Sequence, residues 1–290
     1  MKNPLSLGLS LFRLVRFLFA VAIAALVATP VAQANNFTWT GTTSPGDWNT
    51  GSNWVGSSAP STTDTAVFSS TNSTQVIRVY GTDATTKTIG GLVFSNNGTT
   101  AIEGGNATGG GSNTSLTIGS GGITMNAESG NVTLGNGGSP LRLAVNIGAN
   151  QTWTNNSNST LSKAAGGGAL NAINLGNYTL TISGSGNTTT STVISGNGSL
   201  IKSGAGTLLL SGTSTYSGGT TVSAGNLTLA GSGNFGTGSL TVSGGTLNFG
   251  AGSFTNTLGA VTGGVINGGT FTNNGGNYDL QAGSIGSVLV

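Results

Sequence analysis

Cysteine and histidine are both absent from this chain of 290 residues, and charged residues make up only 5% of it. Without cysteine the fold owes nothing to disulfides, a notable omission for a chain that starts, as argued below, with an export signal. Without either residue, Ser-His-Asp and Cys-His catalysis and His- or Cys-ligated zinc are excluded. Proline is scarce at five residues and aromatics make up 6%. What replaces them is glycine, 53 residues of it, among Ser, Thr, Asn, Val and Leu. Disorder normally combines low hydrophobicity with high net charge. Here 36% of residues are hydrophobic and the formal net charge is +2, so an ordered chain is expected. The glycines follow no G-X-Y period, which excludes collagen.

The first 34 residues read as a cleaved signal peptide. Lys2, Arg13 and Arg16 precede an uncharged apolar run, Phe17 to Val27, and Ala32-Gln33-Ala34 forms a small-x-small cleavage site. The run is short for a membrane span of about 20 residues. Cleavage is expected between Ala34 and Asn35. Three of the eight basic residues leave with this leader, so the mature chain holds five positive and six negative groups, net −1. Nucleic-acid binding then has no electrostatic basis.

Beyond the leader a short alternating motif recurs, as in Leu116-Thr117-Ile118, Val132-Thr133-Leu134, Leu141-Arg142-Leu143 and Leu180-Thr181-Ile182. It returns in Leu227-Thr228-Leu229, Leu240-Thr241-Val242 and Leu247-Asn248-Phe249. Apolar residues at i and i+2 around a polar one define a strand with one buried face. The Gly, Ser and Asn clusters behind nearly every copy make tight turns. Strand and turn recur with little else between them, which predicts an all-β chain wound as a right-handed parallel β-helix, a solenoid of coils about 20 residues long. Leu227 and Leu229 are expected inside and Thr228 outside. Apolar positions thin out from Asn155 to Asn177, predicting a loop or a distorted coil there. No long helix is expected. The organisation reads as the leader at 1–34, a Trp-rich N-terminal cap at 35–60, and solenoid from 61 to 290.

Residues Leu200 to Gly231 resemble the autotransporter-associated β-strand repeat, or passenger-associated transport repeat. Its pattern falls on Leu200, Lys202, Gly204, Gly206, Leu208 and Leu210, then on Tyr216, Gly218, Gly219, Thr220 and Val222. Phe37 to Trp54 resembles the Trp-rich start of such surface proteins, and Lys87 to Gly98 one of their ordinary coils. The resemblance implies a secreted or surface-displayed β-helical passenger, on the bacterial outer membrane, with a repeat that assists export and folding. It also implies an attachment module. The repeats run almost to Val290, and the reading frame is expected to continue past it with more coils.

Candidate site residues are few. Asp47, Asp64, Asp83, Glu103, Glu128 and Asp279 are the mature carboxylates. A spacing near 20 along Asp64, Asp83, Glu103 and Glu128 would stack them on one face of 20-residue coils, the geometry a glycosidase or lyase cleft would need. Turn residues and solvated loop charges are the favoured account of them. Calcium-binding nonapeptides are excluded, because Asp is nearly absent from the Gly clusters. Trp39, Trp48 and Trp54 would plug the end of the solenoid or offer a sugar-stacking platform; they are the ligand-contact candidates. Lys202 and Tyr216 are expected to serve packing. No catalytic residue, metal or cofactor is expected. The leading function is a structural or adhesive surface passenger whose partners are surface glycans or other cells. A carbohydrate- or ice-binding solenoid is the alternative, though no Thr-x-Thr array of useful length is evident, and a polysaccharide lyase or hydrolase comes third.

Overall fold

A computed structural model of the chain describes residues 34–42, 44–69, 74–79, 86–105, 114–135, 142–164, 172–250, 253–273 and 284–289. The leader up to Gln33, Asp83, Leu141 and Asp279 fall outside the described residues. Among those described there are 25 strands, in sheets of 13 and 12. Every strand pairing is parallel. The described helix content is one 3₁₀ turn, Gly51–Asn53. Each strand hydrogen-bonds to its counterpart one coil away, so the architecture is a parallel β-solenoid, as the alternating triplets predict.

The alternation also predicts which side chains point in. Leu227 and Leu229 are buried and Thr228 between them is half-buried, stacked on Leu208, Leu210 and Leu209 respectively. The same inward positions carry Val132 and Leu134 upstream and Leu247 downstream, with the polar Lys163, Thr188 and Thr190 at these positions in the two coils between Leu134 and Leu208. Strands this short have no stable existence alone; stacking gives each its hydrogen-bond partners and covers its apolar face.

Coil length differs from expectation. In the C-terminal stretch Leu200 pairs with Thr220, Thr220 with Leu240 and Leu227 with Leu247, a step of 20 residues each. Upstream, Val76 pairs with Ala101 and Ile102 with Leu134, steps of 25 and 32 residues. Ile123 pairs with Trp153 and Trp153 with Ile182, steps of 30 and 29. The longer coils include a third strand-forming side, made by Thr114 to Ile118, Leu143–Ile147, Ile173–Asn174 and Ile194–Ser195. Past Ser195 this side continues through single backbone bonds, such as Thr215 N–H to Ile194 O at 2.8 Å and Thr237 N–H to Tyr216 O at 2.8 Å.

The stretch from Asn155 to Asn177 is a coil and no mere loop. It supplies the strands Leu161–Lys163 and Ile173–Asn174, each paired on both sides. The apolar positions thin out because several of its inward side chains are polar.

Tight stacking makes some turn glycines irreplaceable. Gly225 has φ +63°, and a Cβ there would sit 2.2 Å from Gly204 O and 2.5 Å from Gly206 O. Gly231 has φ +60° but open space around it. Gly231→Ala is expected to cost about 1 kcal/mol, the left-handed penalty alone. Gly225→Ala adds a backbone clash and is expected to cost roughly 2–4 kcal/mol. Urea melts of the two variants check this; equal costs would refute the stacked-turn geometry.

Candidate functional site

The three N-terminal tryptophans lie inside the solenoid. Trp39 and Trp54 are 2% exposed and Trp48 is fully buried. Their rings meet edge to face, with centroids at 4.9 Å for Trp39–Trp54 and 5.0 Å for Trp48–Trp54. Phe68 lies beneath them and stacks on Phe94 at 5.1 Å, so the aromatic column runs into the aliphatic core. The Trp54 indole N–H donates to Trp48 O at 2.7 Å. With both faces covered, none of the three presents a platform to a sugar.

The carboxylates are scattered by the coil length. Asp64 sits just before the strand Thr65–Phe68 of the first sheet, Glu103 within Thr100–Gly104 of the second, and Glu128 in the exposed turn after Met125. Coils of 25 to 32 residues carry a spacing near 20 onto different sides, so the described carboxylates do not stack on one face. Asp64, Asp47 and Glu103 each have local partners, and Glu128 is exposed. Asp64 accepts from Asn35 N–H at 3.0 Å, Ser61 N–H at 2.7 Å and the Ser61 hydroxyl at 2.6 Å. Burial pushes its pKa up, but these hydrogen bonds outweigh that and hold it below the ordinary carboxylate value. Asp47 accepts from Asn49 N–H at 2.8 Å in its own turn, and Glu103 lies 3.7 Å from the Arg78 guanidinium. Among the described residues no three acidic side chains gather as a metal site.

Two lysines point into the core. Lys202, 1% exposed, stands in an inward column between Ile182 and Val222. Its ammonium donates to Gly204 O of its own turn and to Ala224 O of the next coil at 3.4 Å. Burial lowers its pKa to about 8. Lys163, 2% exposed, stands between Leu134 and Thr190, donates to Ala164 O at 3.2 Å, and is lowered by burial to about 7. Sequence reasoning missed Lys163, yet Leu161-Ser162-Lys163 has the same apolar-x-lysine form as Leu200-Ile201-Lys202. Tyr216 is fully buried, and its hydroxyl shares a 2.6 Å hydrogen bond with Thr220 Oγ1, which also donates to Phe235 O at 3.1 Å. Burial raises the phenol well above its usual value.

On the outer surface a groove of about 440 Å³ crosses three coils of the first sheet. Ser120, Thr124, Asn150, Thr152, Thr154 and Thr181 line it. The register places Thr124 beside Thr154 and Thr152 beside Thr181. Thr152-Trp153-Thr154 and Thr179-Leu180-Thr181 are each too short to stand out in the sequence, and the register lays them side by side with Thr124 as a small uncharged array.

The regular coils coincide with a recognisable unit. Lys202, at the end of the strand Ser199–Lys202, and Tyr216 lie on the same 20-residue coil, and both are buried. Residues 200–229 and 224–249 match the passenger-associated transport repeat. The repeat therefore occupies the coils in which the step is regular, and its signature Lys202, Tyr216 and glycines are packing and turn elements of a solenoid. No curated protein and no solved structure matches the chain.

Proposed function

We propose that the chain is the surface-displayed part of a bacterial autotransporter-like passenger, with a structural and adhesive role and no catalytic turnover. The observation that carries this reading is the passenger-associated transport repeat set within one uninterrupted parallel stack. The dispersal of the carboxylates and the absence of histidine and cysteine favour a non-catalytic surface. Expression of the whole natural reading frame, leader included, in a Gram-negative host is the test. Exported protein should begin Asn-Asn-Phe, and antibody against the solenoid should label intact cells. Protein that keeps its leader, or label that needs permeabilised cells, would refute the reading.

A second reading, carbohydrate binding, is favoured by the hydroxyl-lined groove. Its lining carries no formal charge, so the ligand class is a neutral glycan. Thr152→Val with Thr181→Val should abolish binding of neutral oligosaccharides measured by calorimetry, and leave melting unchanged. Undetectable binding to the unmodified protein across neutral glycans would reject this reading and leave the structural role standing.

A further inference from the structure

The interior of the solenoid is not uniform along its length. On the second sheet the inward pairs are Val132 and Leu134, then Leu161 and Lys163, then Thr188 and Thr190, then Leu208 and Leu210. Both flanking pairs are aliphatic. The first sheet contributes Gln151 and Asn155 to the same zone, buried at inward positions.

Most of this polar belt is hydrogen-bonded. Gln151 donates to Ile118 O at 2.7 Å and accepts from the Trp153 indole at 3.0 Å. Asn155 donates to Ser159 O and Asn187 O, both at 2.8 Å. Thr188 Oγ1 is buried with no partner. Successive coils are joined by the backbone ladder and by contact between inward side chains. The ladder passes through the belt unbroken, from Val132–Leu134 to Leu161–Lys163, Thr188–Thr190 and Thr207–Leu210. The side-chain contribution is what changes: Thr brings less apolar surface than Leu, Lys163 brings an amine into the core, and one hydroxyl is dehydrated without compensation. The free energy of local opening should therefore be lowest here.

We propose that this belt is a built-in seam, at which the solenoid opens internally before the stretches on either side and uncouples residues 34–147 from residues 200–266. The inference rests on the interior side chains and is independent of what the outer surface binds.

Hydrogen exchange read by mass spectrometry on the full chain tests it. Amides of Leu161–Lys163 and Thr188–Thr190 should exchange at least ten-fold faster than those of Val132–Leu134 and Thr207–Leu210 on the same sheet. Equal or slower exchange in the belt would overturn the seam. Thr188→Val together with Thr190→Val keeps shape and β-branching while removing both hydroxyls. It should slow exchange in the belt towards that of the flanks, with the flanks unchanged. Unchanged belt exchange in a folded double variant would overturn interior polarity as the cause. Should the double variant fail to fold, the comparison within the unmodified protein still decides.

Discussion

Leu229→Asp is expected to destabilise the solenoid by several kcal/mol, and Thr228→Asp by less than about 1 kcal/mol, although the two residues are adjacent. Leu229 is 3% exposed and stacks on Leu210 within the ladder. An aspartate there would place a carboxylate in an apolar column, and the structure would have to bury a charge or protonate it. The solenoid cannot relax around the site, because coils above and below hold its strand in register. Thr228 points outward, where a carboxylate stays hydrated. Chemical denaturation of both variants at neutral pH reads the difference directly; comparable midpoints would mean that the assigned facing of this strand is wrong.

Raising the pH from 7 towards 10 is expected to stabilise the protein, contrary to the usual maximum near neutrality. Lys163 falls to about 7 and Lys202 to about 8 on folding, from an ordinary 10.5, and burial is the cause for both. Below pH 7 both are protonated in the folded and unfolded chains, so folding carries the full cost of burying two ammonium groups. Between about 7 and 10.5 the unfolded chain binds more protons than the folded one, and stability rises with pH. Lys87, lowered by burial against the attraction of Asp47, adds to the same slope. Tyr216 acts in the opposite sense. Its folded pKa is raised, so above pH 10 the unfolded chain loses the phenolic proton first and stability falls. A maximum near pH 10 follows. Since each pKa unit is worth about 1.4 kcal/mol, Lys163 alone supplies a gain on the order of a few kcal/mol. Lys163→Met should raise the urea midpoint at pH 7 and flatten the rise above it; a variant less stable than the parent at pH 7 with an unchanged slope would refute the assignment.

The facing of strands was legible because alternation is a local signal: Leu227-Thr228-Leu229 states its own inside and outside. Coil length was not. The 20-residue step holds through Leu200 to Gly231, but it does not extend to the coils that carry Asp64, Glu103 and Glu128. The length of a coil depends on how many residues lie between two sheets, and nothing local marks a detour of ten. The tryptophans offered two roles from sequence, since an indole that plugs a core and one that stacks on sugar look alike in a list of residues. Burial separates them. The groove was invisible for a related reason: Thr124 and Thr154 are neighbours only once the register is known.

The change of coil length also sets how far the protein projects for each residue it spends. Neighbouring strands lie about 4.8 Å apart whatever the coil contains. A coil of 20 residues therefore advances the tip by about 0.24 Å per residue, and one of 30 by about 0.16 Å. Near Trp39 the chain spends about 30 residues on each coil and fills the interior with aromatic rings. Through the repeat it invests in extension. For a protein displayed beyond a cell envelope, each 100 residues of the slimmer coil would stand about 24 Å further out, against about 16 Å for the broader one.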